Sequence, residues 1–212
     1  MTIYNDALST YISNLFAAED DVLRQIRANI EAAGLPMITI RPEEGRFLQL
    51  LVMLTGGQRV LEIGTLGGYS GTWLARGLAP DGRLWTLEKS SKHAEVARAN
   101  FALAGVSEQV EIVEGDAHQL LPKMAVHAPF DLVFIDAEKE GYADYYAWAV
   151  EHVRPGGVIA AHNAFAQGRI ASEPESEAAR NMDAFNRMVS EDSRVEATIF
   201  PAGDGTLIAV RR

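Results

Sequence analysis

Short apolar segments at Arg59 to Ile63, Arg83 to Leu87, Val110 to Val113, Phe130 to Ile135 and Gly157 to Ala161 alternate with helical stretches, which restricts the chain to few folds. The segments are too continuously apolar for a sheet with one wet face, so they read as strands buried on both sides. Between them, Ser70 to Gly77, Lys92 to Ala104, Ala117 to Met124 and Tyr142 to Val150 carry helical periodicity. Parallel strands joined by helices give a Rossmann-like, doubly wound α/β sheet with helices on both faces. The end of the chain breaks this rhythm. A helix over about Glu175 to Ser190 precedes Val195 to Phe200, the turn Pro201-Ala-Gly-Asp-Gly205 and Thr206 to Val210. Strands joined so tightly pair antiparallel. The polar stretch Gln167 to Glu177 reads as a mobile loop.

The helices ahead of the alternation are of another kind. Leu8, Tyr11, Ile12 and Leu15 form one apolar stripe, and Leu23, Ile26 and Ile30 form a second that stops at Gly34 and Pro36. These stripes predict a helical cap or interface segment over 1–41, and the amount of apolar surface predicts a homodimer. Pro42 opens a third helix, with Phe47, Leu50, Leu51 and Leu54 on its apolar face and Gly56 and Gly57 as its stop. A chain of 212 residues can bury one sizeable core, so 1–212 is expected to be a single domain with 42–212 as the doubly wound part.

Composition removes several classes of partner. The 29 acidic residues against 19 Lys and Arg give a net charge of -10, which repels a phosphate backbone and argues against nucleic acid. There is no Cys, so thiolate metal sites are excluded and a reducing compartment fits. Asn5, Asp6, Asn14 and Glu19 interrupt the first residues before a secretory signal could form, and no apolar run reaches the roughly 18 residues of a membrane span. A cytoplasmic protein with no membrane partner is expected.

The stretch Val60-Leu-Glu-Ile-Gly-Thr-Leu-Gly-Gly-Tyr-Ser70 carries a buried strand into a glycine turn and then a helix. Gly64, Gly67 and Gly68 have no Cβ to obstruct a ligand, and Ser70 stands where helix N–H groups are unpaired. The second strand ends at Glu88, the place where a doubly wound fold keeps the acid that binds ribose hydroxyls. Gly115-Asp116-Ala117 closes the third strand on the same edge. Together these residues predict a nucleoside pocket. The spacing Gly64-x-x-Gly67-Gly68 is not the G-x-G-x-x-G of a dinucleotide site, and Glu62 suits an ammonium group better than a diphosphate.

On these residues the chain resembles the class I S-adenosylmethionine methyltransferases, and within them the cation-dependent catechol and caffeoyl-CoA O-methyltransferases. The matching stretches are Glu62 to Ser70, Glu88, Glu114-Gly-Asp-Ala117, Phe130 to Lys139, Val153-Arg-Pro-Gly-Gly157 and Gly203-Asp-Gly205. The resemblance implies a seven-stranded sheet with its last strand antiparallel. It further implies that Glu62, Gly64, Gly68 and Ser70 hold the methionine part of the cofactor, with Tyr69 near the sulfonium. Glu88 would bind ribose, Asp116 and Ala117 would border the adenine, and Asp136 would close the site.

At the reacting end, Asp136 and Lys139 follow the fourth strand while His162 and Asn163 follow the fifth, both opening on one crevice. The resemblance implies that two aspartates and an asparagine bind a divalent cation that grips both oxygens of a catechol-like acceptor. The matching trio here is Asp136, His162 and Asn163. His162 removes a charge and a hard oxygen ligand, and magnesium prefers oxygen whereas imidazole suits zinc and other transition ions. Magnesium, manganese, zinc or hydrogen bonding without a metal all stay open. Lys139 is the expected base, with Asp136 beside it in a catalytic pair. The other readings are a nicotinamide-dependent oxidoreductase on the same fold, and an S-adenosylmethionine-binding protein whose catalysis is metal-independent or lost.

Overall fold

A computed structural model describes residues 4–212; residues 1–3, the start of the segment expected over 1–41, lie outside the described residues. The chain begins with α1 (Asp6–Phe16), α2 (Asp21–Ala32) and α3 (Pro42–Leu54), and continues as β1 (Arg59–Ile63), α4 (Tyr69–Ala75), β2 (Arg83–Glu88), α5 (Ser91–Leu103) and β3 (Val110–Glu114). After these come α6 (Ala117–Met124), β4 (Phe130–Ile135), α7 (Tyr142–His152), β5 (Val153–Ala161), α8 (Arg169–Ser172), α9 (Glu177–Ser190), β6 (Val195–Phe200) and β7 (Thr206–Arg211). Local chemistry sets several helix starts. Asn5, Asp20, Ser90, Asp116 and Ser176 each accept a first-turn N–H, and Pro42 opens α3 with Glu44 bonded back to the Arg41 N–H.

The sheet has the order β3-β2-β1-β4-β5-β7-β6. The pairs β3-β2, β2-β1, β1-β4 and β4-β5 are parallel, and β7 is antiparallel to both β5 and β6. The expected hairpin forms, and β7 is its inner strand because Leu207 and Ala209 are buried while β6 exposes Glu196, Ala197 and Thr198. Alternate residues of the central strands feed two apolar layers. Leu61, Ile63, Val133 and Ile135 meet Tyr142, Tyr145 and Phe185 on one face. Val60, Leu132 and Phe134 meet Ile26, Ile30, Trp73 and Phe101 on the other. From β1 the chain moves outward to β2 and β3, then returns to lay β4 on the other side of β1. That reversal opens a crevice at the carboxyl ends of β1 and β4.

The two N-terminal stripes differ in burial, and two local expectations after them need correction. The α2 stripe of Leu23, Ile26 and Ile30 is fully buried, but the α1 stripe faces solvent, with Tyr11 60% and Leu15 56% exposed. α1 is held instead by polar contacts: Ser13 Oγ donates to Glu43 at 2.6 Å, and Ser9 and Tyr4 bond the same carboxylate. α3 is rotated from the expected face. It buries Leu48, Leu51 and Val52 together with Glu43 and Glu44, and leaves Leu50 and Leu54 outside. Hydrophobic periodicity misses this because Glu43 and Glu44, two of the six buried residues of α3, are carboxylates. Within the stretch expected to be a mobile loop, Arg169–Ser172 forms a helical turn.

Candidate active site

A cleft of about 550 Å³ lies over the carboxyl ends of β1, β2 and β4. Gly64, Tyr69, Ser70, Glu88, Ala117, Asp136, Lys139 and Asn163, among the residues expected from sequence, line it. Glu62, Gly68, Asp116 and His162 stand behind its walls.

The glycine turn is shaped by close packing. Gly64 has φ 99°, and an added Cβ would meet the Asp136 carbonyl oxygen at 2.3 Å, so only glycine lets β1 leave the sheet this close to the end of β4. Gly67 has a different purpose from the one expected: an added Cβ would fall 2.3 Å from Ile30, so this residue seats α2 rather than admitting a ligand. Glu88 braces the turn. Its Oε2 accepts the Leu66 N–H at 2.8 Å, its Oε1 accepts the Ser90 N–H at 2.8 Å, and His93 lies 3.4 Å away.

Glu62 is fully buried and does not reach the cleft. Ser70 Oγ and Thr86 Oγ1 each donate to it at 2.6 Å. Burial pushes its carboxyl up to about 8 against the opposing effect of these hydroxyls. It therefore fixes Ser70 at the head of α4, where the hydroxyl oxygen can still accept a bond from the cleft. Tyr69 contributes its ring to the wall and donates its hydroxyl to Glu19 at 2.8 Å, tying the site to the α1–α2 connection. Asp116 caps α6 through the His118 N–H and takes Lys89 Nζ at 2.9 Å, which leaves Ala117 as the lining residue.

At the other half of the cleft, Lys139 Nζ donates to Tyr142 Oη at 2.6 Å, the Ala137 carbonyl at 3.0 Å and Asp136 Oδ1 at 3.4 Å. All three ammonium protons thus have acceptors. Burial holds the Tyr142 phenol well above its ordinary range, so it stays protonated and donates onward to the His162 carbonyl at 3.2 Å. His162 is 6% exposed. Its Nε2 lies 2.9 Å from Glu44 Oε1 and its Nδ1 lies 3.4 Å from Asp136 Oδ2. Burial alone would lower its pKa, but the two carboxylates outweigh that and raise it to about 10. Asp136 is shifted the other way: His162 and Lys139 outweigh its burial and lower it. Asn163, at φ 61°, donates to Asp204 Oδ2 at 3.2 Å, and Asp204 also accepts the Gln167 N–H.

Of the trio expected to hold a divalent cation, Asp136 and Asn163 line the cleft, and His162 Nδ1 lies 3.4 Å from Asp136 Oδ2. A ligating imidazole needs one nitrogen lone pair aimed at the metal. His162 Nε2 is taken by Glu44, as the outer nitrogen of a ligating ring commonly is, and among the described residues no group of three or more His, Asp or Glu side chains is arranged to hold a metal.

Two members of this site escape sequence reasoning. Glu44 is legible as a helix-capping acid after Pro42, but nothing local tells that its second oxygen meets His162 across the sheet. Asp204 is legible as part of a tight turn, yet its bonds to Asn163 and Gln167 arise only when β7 docks beside β5.

A mostly parallel sheet with a switch-point cleft, a braced glycine turn and an acid at the end of β2 defines a nucleoside-binding protein of the Rossmann-like class. The family description "O-methyltransferase" matches residues 13–212. A catechol O-methyltransferase from Niastella koreensis is 42% identical over 197 residues, 92% of this chain and 89% of that one. A catechol O-methyltransferase from Mycobacterium tuberculosis is 42% identical over 191 residues, covering 90% of this chain and 86% of its own. Among solved structures, an O-methyltransferase from Bacillus cereus in complex with S-adenosylhomocysteine superposes with a TM-score of 0.90 at 37% identity, over 97% of both chains. The chain belongs to this O-methyltransferase family.

Proposed function

We propose that the protein transfers a methyl group from S-adenosylmethionine to a hydroxyl of a small aromatic acceptor of the catechol type. One observation carries this reading: a single cleft joins the glycine turn and Glu88 to Lys139 and Asp136, beneath apolar side chains of Ile38, Ile40 and Met182. The relatives named catechol O-methyltransferase support the same acceptor class. S-adenosylmethionine, when bound, supplies an electrophilic methyl group on a sulfonium sulfur. In this reading the turn at Gly64 and the Ser70 hydroxyl border its amino-acid part, Tyr69 walls the middle of the cleft, Glu88 accepts from the ribose hydroxyls and Ala117 flanks the base. Glu62, Gly68 and Asp116 act by holding these groups in place.

Displacement at a methyl carbon needs a nucleophilic oxygen held in line with the leaving sulfur. A phenol of pKa about 10 is mostly protonated near neutral pH. Lys139, once it has given one proton to solvent, takes the hydroxyl proton, and the ammonium so formed meets Tyr142, Ala137 and Asp136. Those three acceptors stabilise the ion pair of phenolate and ammonium over phenol and amine. After the methyl group has moved to oxygen, the ammonium returns its proton to solvent. The test is methyl transfer from S-adenosylmethionine across catechols, hydroxycinnamates and flavonoids, followed by product mass. Turnover of a catechol is expected; turnover of none of these, with tight S-adenosylhomocysteine binding, would reject the acceptor class.

Glu88→Ala should weaken S-adenosylhomocysteine binding by about 1 to 3 kcal/mol, because the cofactor loses a charged acceptor and the Leu66 N–H loses its brace. Calorimetry measures this directly, and unchanged affinity would move the ribose elsewhere. Over the whole segment 1–41 we infer an interface function within one domain. Tyr11, Leu15 and Phe16 of α1 and Leu50, Met53 and Leu54 of α3 are exposed apolar groups on adjoining helices, more than a monomer ordinarily shows to water. A homodimer through this face should give twice the chain mass by light scattering at micromolar concentration; a monomer there would exclude it. Among the described residues no helix is long and apolar enough to cross a membrane. With no Cys in the sequence, a reducing compartment fits, and we place the protein in the cytoplasm.

A further inference from the structure

At the end of the sheet opposite the cleft, Arg59 opens β1 and Arg83 opens β2, and the two are register partners in a parallel pair. Their side chains leave the same face, because Leu61 and Trp85, two residues on, are partners in turn and enter one apolar layer. Neighbouring strands lie about 4.8 Å apart, so the two guanidinium groups start side by side and repel one another. Most arginines of this chain pair with a carboxylate, but Arg59 and Arg83 have none within 4.0 Å among the described residues. Arg59 reaches only the carbonyl oxygens of His127 and Ala128, at 3.4 and 3.3 Å. The Arg83 side chain makes no hydrogen bond among the described residues.

The two arginines line a cavity of about 330 Å³ together with Gln58, Asp81, Trp85 and His127. His127 stacks on Trp85 with ring centroids 4.3 Å apart, and the Trp85 indole N–H donates to Glu111 at 3.1 Å, which fixes this wall. Asp81 is the one acid among the described lining residues. Asp131, nearby on β4, is occupied by the Gln58 and Arg59 N–H groups and by Arg154.

We propose that this pocket binds a phosphate dianion, either the free ion or the terminal group of a small metabolite. Two planar forks of N–H donors grip a tetrahedral oxyanion from two sides, the geometry that suits arginine to phosphate. The bound dianion balances both guanidinium groups and removes their repulsion. A carboxylate, with a single charge, would leave one of them unbalanced. The net charge of -10 opposes any anion held only by the general field, so binding comes from these local donors. The pocket stands at the amino ends of β1 and β2, whereas the cleft stands at their carboxyl ends, so the proposal is independent of the methyl acceptor.

The test titrates the full-length protein by calorimetry with inorganic phosphate, phenyl phosphate and acetate, at constant ionic strength and about pH 8, where a phosphate group is mostly dianionic. One-to-one phosphate binding with Kd below about 1 mM is expected, with acetate weaker by about tenfold or more. Replacing both arginines, Arg59→Gln with Arg83→Gln, should weaken phosphate by about tenfold or more, the usual effect of losing a hydrogen bond between charged groups. Binding of S-adenosylhomocysteine should be unchanged in that variant. In nitrogen-15 spectra the side-chain Nε–H signals of Arg59 and Arg83, each identified by its loss in the single variant, should shift as phosphate is added. Tighter binding of phenyl phosphate than of phosphate assigns the pocket to a phosphorylated metabolite, and the reverse assigns it to the free ion. No saturable phosphate binding, equal affinity in the double variant, acetate binding as tight as phosphate, or shifts confined to other arginines would each overturn the proposal. If the double variant does not fold, the wild-type titrations and spectra still decide.

Discussion

Lys139→Met should lower kcat by about 10²- to 10⁴-fold, the usual contribution of a positioned acid or base, while S-adenosylhomocysteine still binds. Methionine keeps most of the length and apolar character of the lysine stem but has no nitrogen to take the hydroxyl proton. The loss should fall on kcat because Lys139 makes its bonds to Asp136, Ala137 and Tyr142 at the acceptor half of the cleft, away from the glycine turn. Folding should survive, since Tyr142 retains its own bond to the His162 carbonyl. Steady-state kinetics with a catechol, together with calorimetry for the cofactor product, separates the two effects. A Lys139→Met enzyme with full kcat would leave the mechanism without a base.

Glu62→Gln should stabilise the protein increasingly as pH rises from about 5 to 9. A carboxyl whose folded pKa lies above its unfolded value keeps its proton longer in the folded chain, so stability is lost as pH climbs between the two. For Glu62 that window runs from the ordinary 4.5 to about 8, with burial as the first cause and Asp136 and Glu88 adding to it. Below the window both states are protonated and the penalty vanishes. Above it the penalty is complete, about 5 kcal/mol at roughly 1.4 kcal/mol per pH unit. Glutamine cannot ionise, and Ser70 and Thr86 can turn their hydroxyls to meet its amide. The difference in Tm between Glu62→Gln and wild type, measured without ligand, should therefore grow with pH by about 2–4 °C per kcal/mol. A difference that is flat from pH 5 to 9 would show that Glu62 is ionised throughout in the folded chain.

The strands, their parallel sense, the antiparallel hairpin and the position of the glycine turn were all determined by the sequence itself. Each rests on a local cause: continuous apolar runs for strands buried on both faces, helical periodicity between them, and a connection too short for a crossover between β6 and β7. The identities of Glu88, Lys139 and Asp136 as cleft residues follow from the same source, because strand ends at a switch point converge whatever the details of packing. What only the tertiary structure decided lies in contacts between distant segments. Gly67 meets Ile30, Glu62 hides beneath Ser70 and Thr86, and the outward face of α3 is set by two carboxylates that no apolar pattern registers. The meaning of His162 belongs to this second group. In sequence it is an imidazole beside an asparagine, and its bond to Glu44, which reaches it from α3 on a far part of the chain, forms only in the folded protein. Hydrogen-bond valence at a buried ring is decided by every group that surrounds it, and only folding assembles those groups.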